Sequence, residues 1–309
     1  MSRLHISMLT TGFPRFQGDL FGTFILELAR ELVEADCTVD VLAPHQAGVA
    51  ADECLGNVKV HRFRYFWPAR AQKVAYGGGI PTNLRCSWLA RLQVPFFLLG
   101  FWFGALRRVR RGGLVHCHWT ISGLIAYWAT RWWRCPLVLS VRGSDIHLVG
   151  NGMMAPLHRL IYSWMDVVVA VSEDIAAKLE ALGVPKSKIK VVANGVDRRF
   201  QPADRRVMRE RLGLPDGEFI VLFVGLLVPV KGLDLLVGAL AELADPKPLC
   251  LLIGDGPERP ALERQAAELG VGDRLLFAGR RSSDEIPTWM GAADLLVLPS
   301  RSEGRPNVV

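Results

Sequence analysis

The stretch "FIVLFVGLLVPVKGLDLL", residues 219 to 236, carries the clearest local signal in the chain. Residues 219–225 are a short, continuous apolar run closed by glycine, the pattern of a strand buried on both faces. A short loop then leads to Lys231, and helical spacing of apolar residues follows over 232–243. Reading outward, the same unit repeats. "PLCLLIG" (248–254), "RLLFAG" (274–279) and "DLLVLPS" (294–300) read as strands, with helices expected over 258–269 and 283–291. On the N-terminal side, "RLHISMLT" (3–10), "CTVDVLAP" (37–44), "LVHCH" (114–118), "PLVLSVRG" (136–143) and "DVVVAVS" (166–172) alternate with helix-like segments. The first of these, "FGTFILELARELVEA" (21–35), starts near Gly22. This alternation predicts an α/β fold with parallel, doubly wound sheets.

The first set of units ends at "KIKVVANGVDRRFQP" (188–202), where Asn194-Gly195 signals a turn and the polar residues after it read as a linker. Two Rossmann-like domains are therefore expected, 1–199 and 200–309, and 309 residues suffice for both. Hydrophobic residues at 50% and charged residues at 22% exclude a disordered chain. The first ten residues show no signal peptide, and the six cysteines have no Cys-x-x-Cys spacing, so reduced thiols in a cytosolic protein are expected. His116-Cys117-His118 lacks a second ligand cluster, and no Asp-x-Asp occurs, so no metal is expected.

Charge is uneven. Residues 1–199 carry 24 Lys and Arg against 14 Asp and Glu, and eight of the nine tryptophans. Residues 200–309 carry 13 against 16. A basic, aromatic-rich half predicts an acidic partner: membrane phosphates, a lipid diphosphate or nucleic acid. Within it, Val94 to Leu106 is a thirteen-residue apolar run followed by "RRVRR" up to Arg111. The run is too short to span a bilayer. A buried core helix is one reading; an interfacial helix on anionic lipid is the other, favoured by the aromatic content and the basic tract. That choice sets nucleic acid aside as a partner.

In open α/β sheets ligands bind at the carboxyl ends of strands. At those points stand His118-Trp119, Arg142 to Asp145, Lys231, Gly254 to Pro257, Arg280-Arg281 and Glu303. No Gly-x-Gly-x-x-Gly follows a strand, and no Gly-x-x-x-x-Gly-Lys-Ser/Thr, His-Glu-x-x-His or Gly-x-Ser-x-Gly occurs, which argues against dehydrogenase, P-loop, zinc-protease and hydrolase chemistry. A diphosphate bound here would be met by Lys, Arg and backbone N–H groups.

"FVGLLVPVKGLDLL" (223–236), "LLIGDGP" (251–257) and "ADLLVLPSRSEGRPNVV" (293–309), with "NGVDRRF" (194–200), "VRGSDI" (141–146) and "GTFILELAREL" (22–32), resemble retaining glycosyltransferases of the GT-B fold, glycosyltransferase family 4. The resemblance runs from residue 7 to residue 309. It implies two Rossmann-like domains facing across a cleft, the first for an acceptor and the second for a nucleotide-sugar. It implies that Lys231 grips the donor diphosphate, with Gly22, Gly225, Gly254, Gly256, Arg280 and Arg281 also on the donor side. Glu303 would hydrogen-bond the transferred sugar, and the backbone of Asn307 and Val308 would meet the phosphates. His118, Trp119, Arg142 and Asp145 would line the acceptor side, and His118, Asp145 and Glu303 would serve catalysis. Many members carry arginine where this chain has Leu226 and histidine where it has Arg142.

By resemblance the reaction is transfer from a UDP- or GDP-sugar to a lipid-linked or polysaccharide acceptor, with retention, without metal or cofactor, in cell-envelope or exopolysaccharide synthesis. The expected location is cytoplasmic, peripheral on the inner face of the membrane through Val94 to Arg111. A sugar-nucleotide epimerase of the same fold and a non-catalytic membrane- or partner-binding fragment are the alternatives. The family's second glutamate would stand two residues past Val309, so a truncated second domain with weak or no activity is expected.

Overall fold

The computed structural model describes every residue except 1, 2, 17, 18, 20, 144, 146–153, 302–305, 307 and 309. It divides into two compact units, Met1–Asn194 and Gly195–Val309.

The first unit is built on an eight-stranded sheet in the order β3-β4-β2-β1-β5-β6-β7-β8. The strands are β1 (His5–Thr10), β2 (Thr38–Pro44), β3 (Asp52–Leu55), β4 (Val58–Phe63), β5 (Leu114–His118), β6 (Leu137–Val141), β7 (Val167–Ala170) and β8 (Ile189–Val191). All neighbours are parallel except the β3–β4 hairpin. The central strands are apolar along their length because helices cover both faces: five of the six residues of β1 are buried. Helix α1 (Thr23–Glu34) covers one face, with Ile25, Leu26 and Ala29 packed on Ile6, Met8 and Val41. The β3–β4 hairpin is absent from the sequence reading. Its outer strand, "DECL", is a half-exposed edge with no apolar run, and its turn rests on Gly56 at φ 66°.

The apolar run at Val94 belongs to α3 (Trp88–Arg108), which follows the short helix α2 (Ile80–Cys86) and is 21 residues long. The thirteen-residue run thus lies inside a longer helix, which by length and composition alone is sufficient to cross a bilayer: over an 18-residue window of α3 the mean hydropathy is 1.5. The added turns come from Ser87, whose hydroxyl accepts from Ala90 N at 3.3 Å and caps the N-terminus. One face of α3 belongs to the core of the unit. Ala90, Gln93, Phe97, Phe101 and Ala105 are buried, and Phe101 stacks on Phe63 with ring centroids 4.5 Å apart. Gly100 and Gly104 permit this approach, since a Cβ on Gly100 would stand 2.9 Å from Arg64 O. The opposite face is apolar and bare: Trp88, Leu92, Phe96, Leu99 and Phe103 are each about half or more exposed. The sequence offered a core helix or an interfacial one; α3 has a core face and a bare apolar face together.

The second unit carries β9 (Ile220–Val224), β10 (Leu249–Ile253), β11 (Leu275–Gly279) and β12 (Leu295–Leu296), all parallel, in the order β11-β10-β9-β12. Part of the stretch read as a linker is instead a helix, Arg205–Leu212, capped by Asp204 Oδ1 on Arg206 N at 2.9 Å and closed by Gly213 at φ 64°. Its polarity hid it. What it buries is an arginine: Arg209 donates to Ala292 O and Asp216 O and pairs with Asp294, which also accepts from Ile220 N at the start of β9.

The two faces of α3 give opposite mutational responses. Phe101→Ala should lower unfolding stability by about 3–5 kcal/mol, as for other buried phenylalanines. Leu99→Ala should change it by no more than about 0.5 kcal/mol. Denaturant titration of both variants checks this; equal losses would mean that the outer face is also packed.

Candidate functional site

In the first unit the site residues meet at the carboxyl ends of β1, β5 and β6. Strand alternation sends Cys117 into the core on one face and His116 and His118 to the α1 face. That alternation separates the three residues of the His-Cys-His run. Among the described residues no group of His, Cys, Asp or Glu could hold a metal. The two imidazoles lie 4.4 Å apart, and His116 Nε2 bonds Ser140 Oγ at 2.8 Å. His118 is fully buried, and neither of its ring nitrogens has a partner among the described residues. Burial holds both rings neutral, with His116 lowered to about 4 and His118 well below 6.5; the Arg142 charge acts in the same direction.

Trp119 follows with φ 66° and ψ 150°, a backbone region open mainly to glycine. Such strain persists only where its surroundings hold it. Here Asp145 is the clamp. Its carboxylate accepts from Thr120 N, Thr120 Oγ1 and Arg142 N, each at 2.9 Å, which caps the helix Thr120–Thr130 from another loop. Burial raises the Asp145 pKa, and these hydrogen bonds oppose the rise. Asp145 is fully committed to backbone and hydroxyl donors, so it positions the Trp119–Thr120 turn.

The Arg142 guanidinium carbon sits over the Phe24 ring, 3.7 Å from its centroid, and Nη1 donates to Asn194 Oδ1 at 3.2 Å. Phe24 in turn meets Trp119 edge-on at 5.9 Å. The Arg142 Nε has no partner, and the guanidinium pairs with no carboxylate among the described residues. Burial therefore lowers its pKa to about 10. Beside it opens the N-terminus of α1, where Gly22 sits at φ 74° with no side-chain cap. Nothing in the sequence marks Phe24 or Asn194 as neighbours of Arg142.

In the second unit three strand-end loops are laced together. After β9, Gly225 N donates to Ile253 O at 2.9 Å and Leu227 N to Asp255 O at 3.1 Å. Gly254, at φ 138°, lies so close that a Cβ would stand 1.8 Å from Gly225 O; at Gly256 it would stand 2.2 Å from Leu227 O. Lys231 ends the turn Pro229–Lys231, and Gly232 at φ 63° starts the helix Leu233–Glu242. A Cβ on Gly232 would meet Pro299 O at 2.2 Å. Arg301 holds the third loop in place through Val230 O and Pro229 O, each 2.8 Å away, and a bidentate pair with Asp234. Gly232, Asp234 and Arg301 were missed as site-builders because their roles appear only when loops from three strands meet. Arg280 pairs with Asp255 at 3.8 Å, and Arg281 stacks on Trp289 at 5.2 Å. Val308 is half-buried, while Glu303 and Asn307 lie outside the described residues.

Residues 21–200 match the family model Glycosyltransferase Family 4, and residues 204–309 match Glycosyl transferases group 1. The chain belongs to glycosyltransferase family 4. A D-inositol 3-phosphate glycosyltransferase of Salinispora tropica is 30% identical over 93% of this family 4 chain and 63% of its own length. One from Nocardia farcinica is 36% identical over 62% of this chain and 47% of its own. The chain thus spans about half to just under two thirds of the length of these curated relatives. Among solved structures, sucrose-phosphate synthase of Thermosynechococcus elongatus superposes with a TM-score of 0.76 at 20% identity, over 98% of this chain and 77% of its own. Anabaena Alr3699/HepE in complex with UDP-glucose gives 0.65 at 21%, over 97% and 75%. The likeness shows the GT-B fold.

The neutral histidines make stability depend on pH. Below about pH 6.5 the unfolded histidines take up protons that His116 and His118 refuse when folded. The unfolded state then binds more protons, so stability falls as pH drops from 6.5 toward the folded value of about 4 for His116. Asp145, raised by burial, acts with the opposite sign through its own titration. Melting temperature should therefore fall between about pH 7 and about pH 5, and His116→Gln should flatten the slope. An unchanged slope in that variant would contradict the assignment.

Proposed function

We propose that this chain binds a UDP- or GDP-sugar on its second unit and supports transfer of the sugar, with retention, to an acceptor held by its first. The observation that carries the donor assignment is the lacing of the Gly225, Gly254 and Gly256 backbones around the turn that bears Lys231. The lacing spends the amides of Gly225, Leu227 and Gly254 on neighbouring carbonyls and so fixes the turn, and the charge that a diphosphate needs comes from Lys231. Cleaving the sugar–phosphate bond builds positive charge on the sugar and negative charge on the departing diphosphate. Lys231 stabilises that leaving group, and metal is not required for it. A leaving phosphate oxygen can take the acceptor's proton, so no strong general base is needed. His118 is neutral and lacks a hydrogen-bond partner among the described residues, so once uncovered it is suited to hydrogen-bond a sugar hydroxyl; Asp145 keeps the neighbouring turn in place.

The acceptor reading with most support is a lipid-linked sugar at a membrane surface, in envelope or polysaccharide assembly. The bare apolar face of α3 and the arginines at its end support it. A second reading, a small phosphorylated polyol, is favoured by Arg142, a largely buried guanidinium with no carboxylate partner among the described residues. It agrees with the names of the curated relatives.

Calorimetry of the 309-residue chain with UDP and GDP tests the donor assignment. Lys231→Ala should weaken binding by about 1.5–3 kcal/mol, roughly ten- to hundredfold, and a chelator should leave wild-type affinity unchanged. Equal affinity in the variant, or binding that requires magnesium, would overturn it. Offering radiolabelled sugar donors with a prenyl-diphosphate-linked sugar and, separately, with inositol phosphate distinguishes the two acceptor readings.

A further inference from the structure

Beside the C-terminal half of α3 lies a cavity of about 630 Å³ that none of the site residues above enters. Gly100 and Gly104 contribute no side chain to its wall, and Phe63 and Phe103 give it an apolar lining. Its rim is basic, with Arg64, Arg107 and Arg108. The acid at that rim, Asp52, is already shared: it accepts from His61 at 2.5 Å and from Arg108 at 3.1 Å. Arg62 is engaged by Glu53. Arg64 and Arg107 are exposed and pair with no carboxylate among the described residues. Two cations are thus left over at the mouth of an apolar-lined hollow.

Phe103 connects this hollow to the bare face of α3. It lines the cavity, and it also ends the exposed stripe Trp88, Leu92, Phe96, Leu99 and Phe103. The spacing of four, four, three and four places those five side chains along one line of the helix, opposite Phe97 and Phe101 in the core. An occupant that satisfies both features has an anionic head and apolar tails.

We propose that this cavity takes the phosphate headgroup of an anionic phospholipid, with the acyl chains lying along the exposed stripe of α3. The proposal rests on the membrane reading above and adds to it a defined headgroup site. A free phosphate would use the rim and leave the stripe bare. A second copy seated on the same face would bring two arginine rims together in a basic unit, which charge repulsion disfavours.

Flotation with phosphatidylcholine vesicles, with and without phosphatidylglycerol, tests it. Three double variants are compared, each checked for an unchanged melting temperature: Arg64→Ser with Arg107→Ser at the cavity, Phe96→Ser with Leu99→Ser on the stripe, and Arg70→Ser with Arg85→Ser as a control of equal charge. Wild type should prefer the anionic vesicles. The cavity variant should lose about thirtyfold in that binding, and the control only a fewfold. The stripe variant should bind neither vesicle. Equal losses in the cavity and control variants would overturn the headgroup site and leave the membrane reading standing. Normal binding by the stripe variant would overturn both.

Hydrogen exchange with short-chain phosphatidylglycerol separates the remaining outcomes. Protection confined to 61–64 and 100–108 supports the site even if whole vesicles are ignored. The same protection from inorganic phosphate alone overturns the lipid assignment. So does a dimer in sedimentation that the stripe variant dissociates.

Discussion

The contact on which the second unit's loops depend is backbone against backbone. Gly254 follows β10 at φ 138°, and even a methyl group there would stand 1.8 Å from the Gly225 carbonyl oxygen. Two strand-end loops can pass this closely only where the residue that approaches the other loop's carbonyl lacks a side chain. The same holds where Gly256 meets Leu227 and where Gly232 meets Pro299. The amides of Gly225, Leu227 and Gly254 are spent on carbonyls of the neighbouring strands and loops, which fixes the Lys231 turn at that edge of the sheet. The glycines that mark the motif in the sequence are therefore spatial requirements, each named by the atom it would otherwise strike.

The first unit solves a different problem, that of polar groups buried at strand ends. Asp145 is satisfied by three donors and holds Trp119 in a strained backbone conformation. His116 and His118 are kept neutral by burial. Arg142 remains charged on the face of Phe24 with an unpartnered Nε, a standing demand for an anion or for hydroxyl oxygens. Strain and unmet polarity in one place fit a site held ready for a ligand better than they fit a site optimised for stability.

The α/β class and most strands were legible because parallel sheets covered on both faces demand unbroken apolar runs. The β3–β4 hairpin escaped because a half-exposed edge strand needs no such run, and the helix at Arg205 because it buries an arginine where a pattern search looks for leucine. The strand-end residues could be listed from the sequence, but their roles could not. Asp145 as a clamp, Arg142 on Phe24, and Arg301 fastened to Asp234 arise from contacts between segments far apart in the chain. Helix α3 was underestimated in length because its flanking polar residues, from Ser87 onward, look like an end of helix and are its cap and outer turns.

The central claim is that nucleotide binding belongs to the laced loops of the second unit. Hydrogen–deuterium exchange of the chain with and without UDP or GDP reads those loops directly. The account predicts slowed exchange at 225–232 and 254–257, with the core strands of the first unit unchanged. Slowed exchange confined to the first unit, or none at saturating nucleotide, would contradict it.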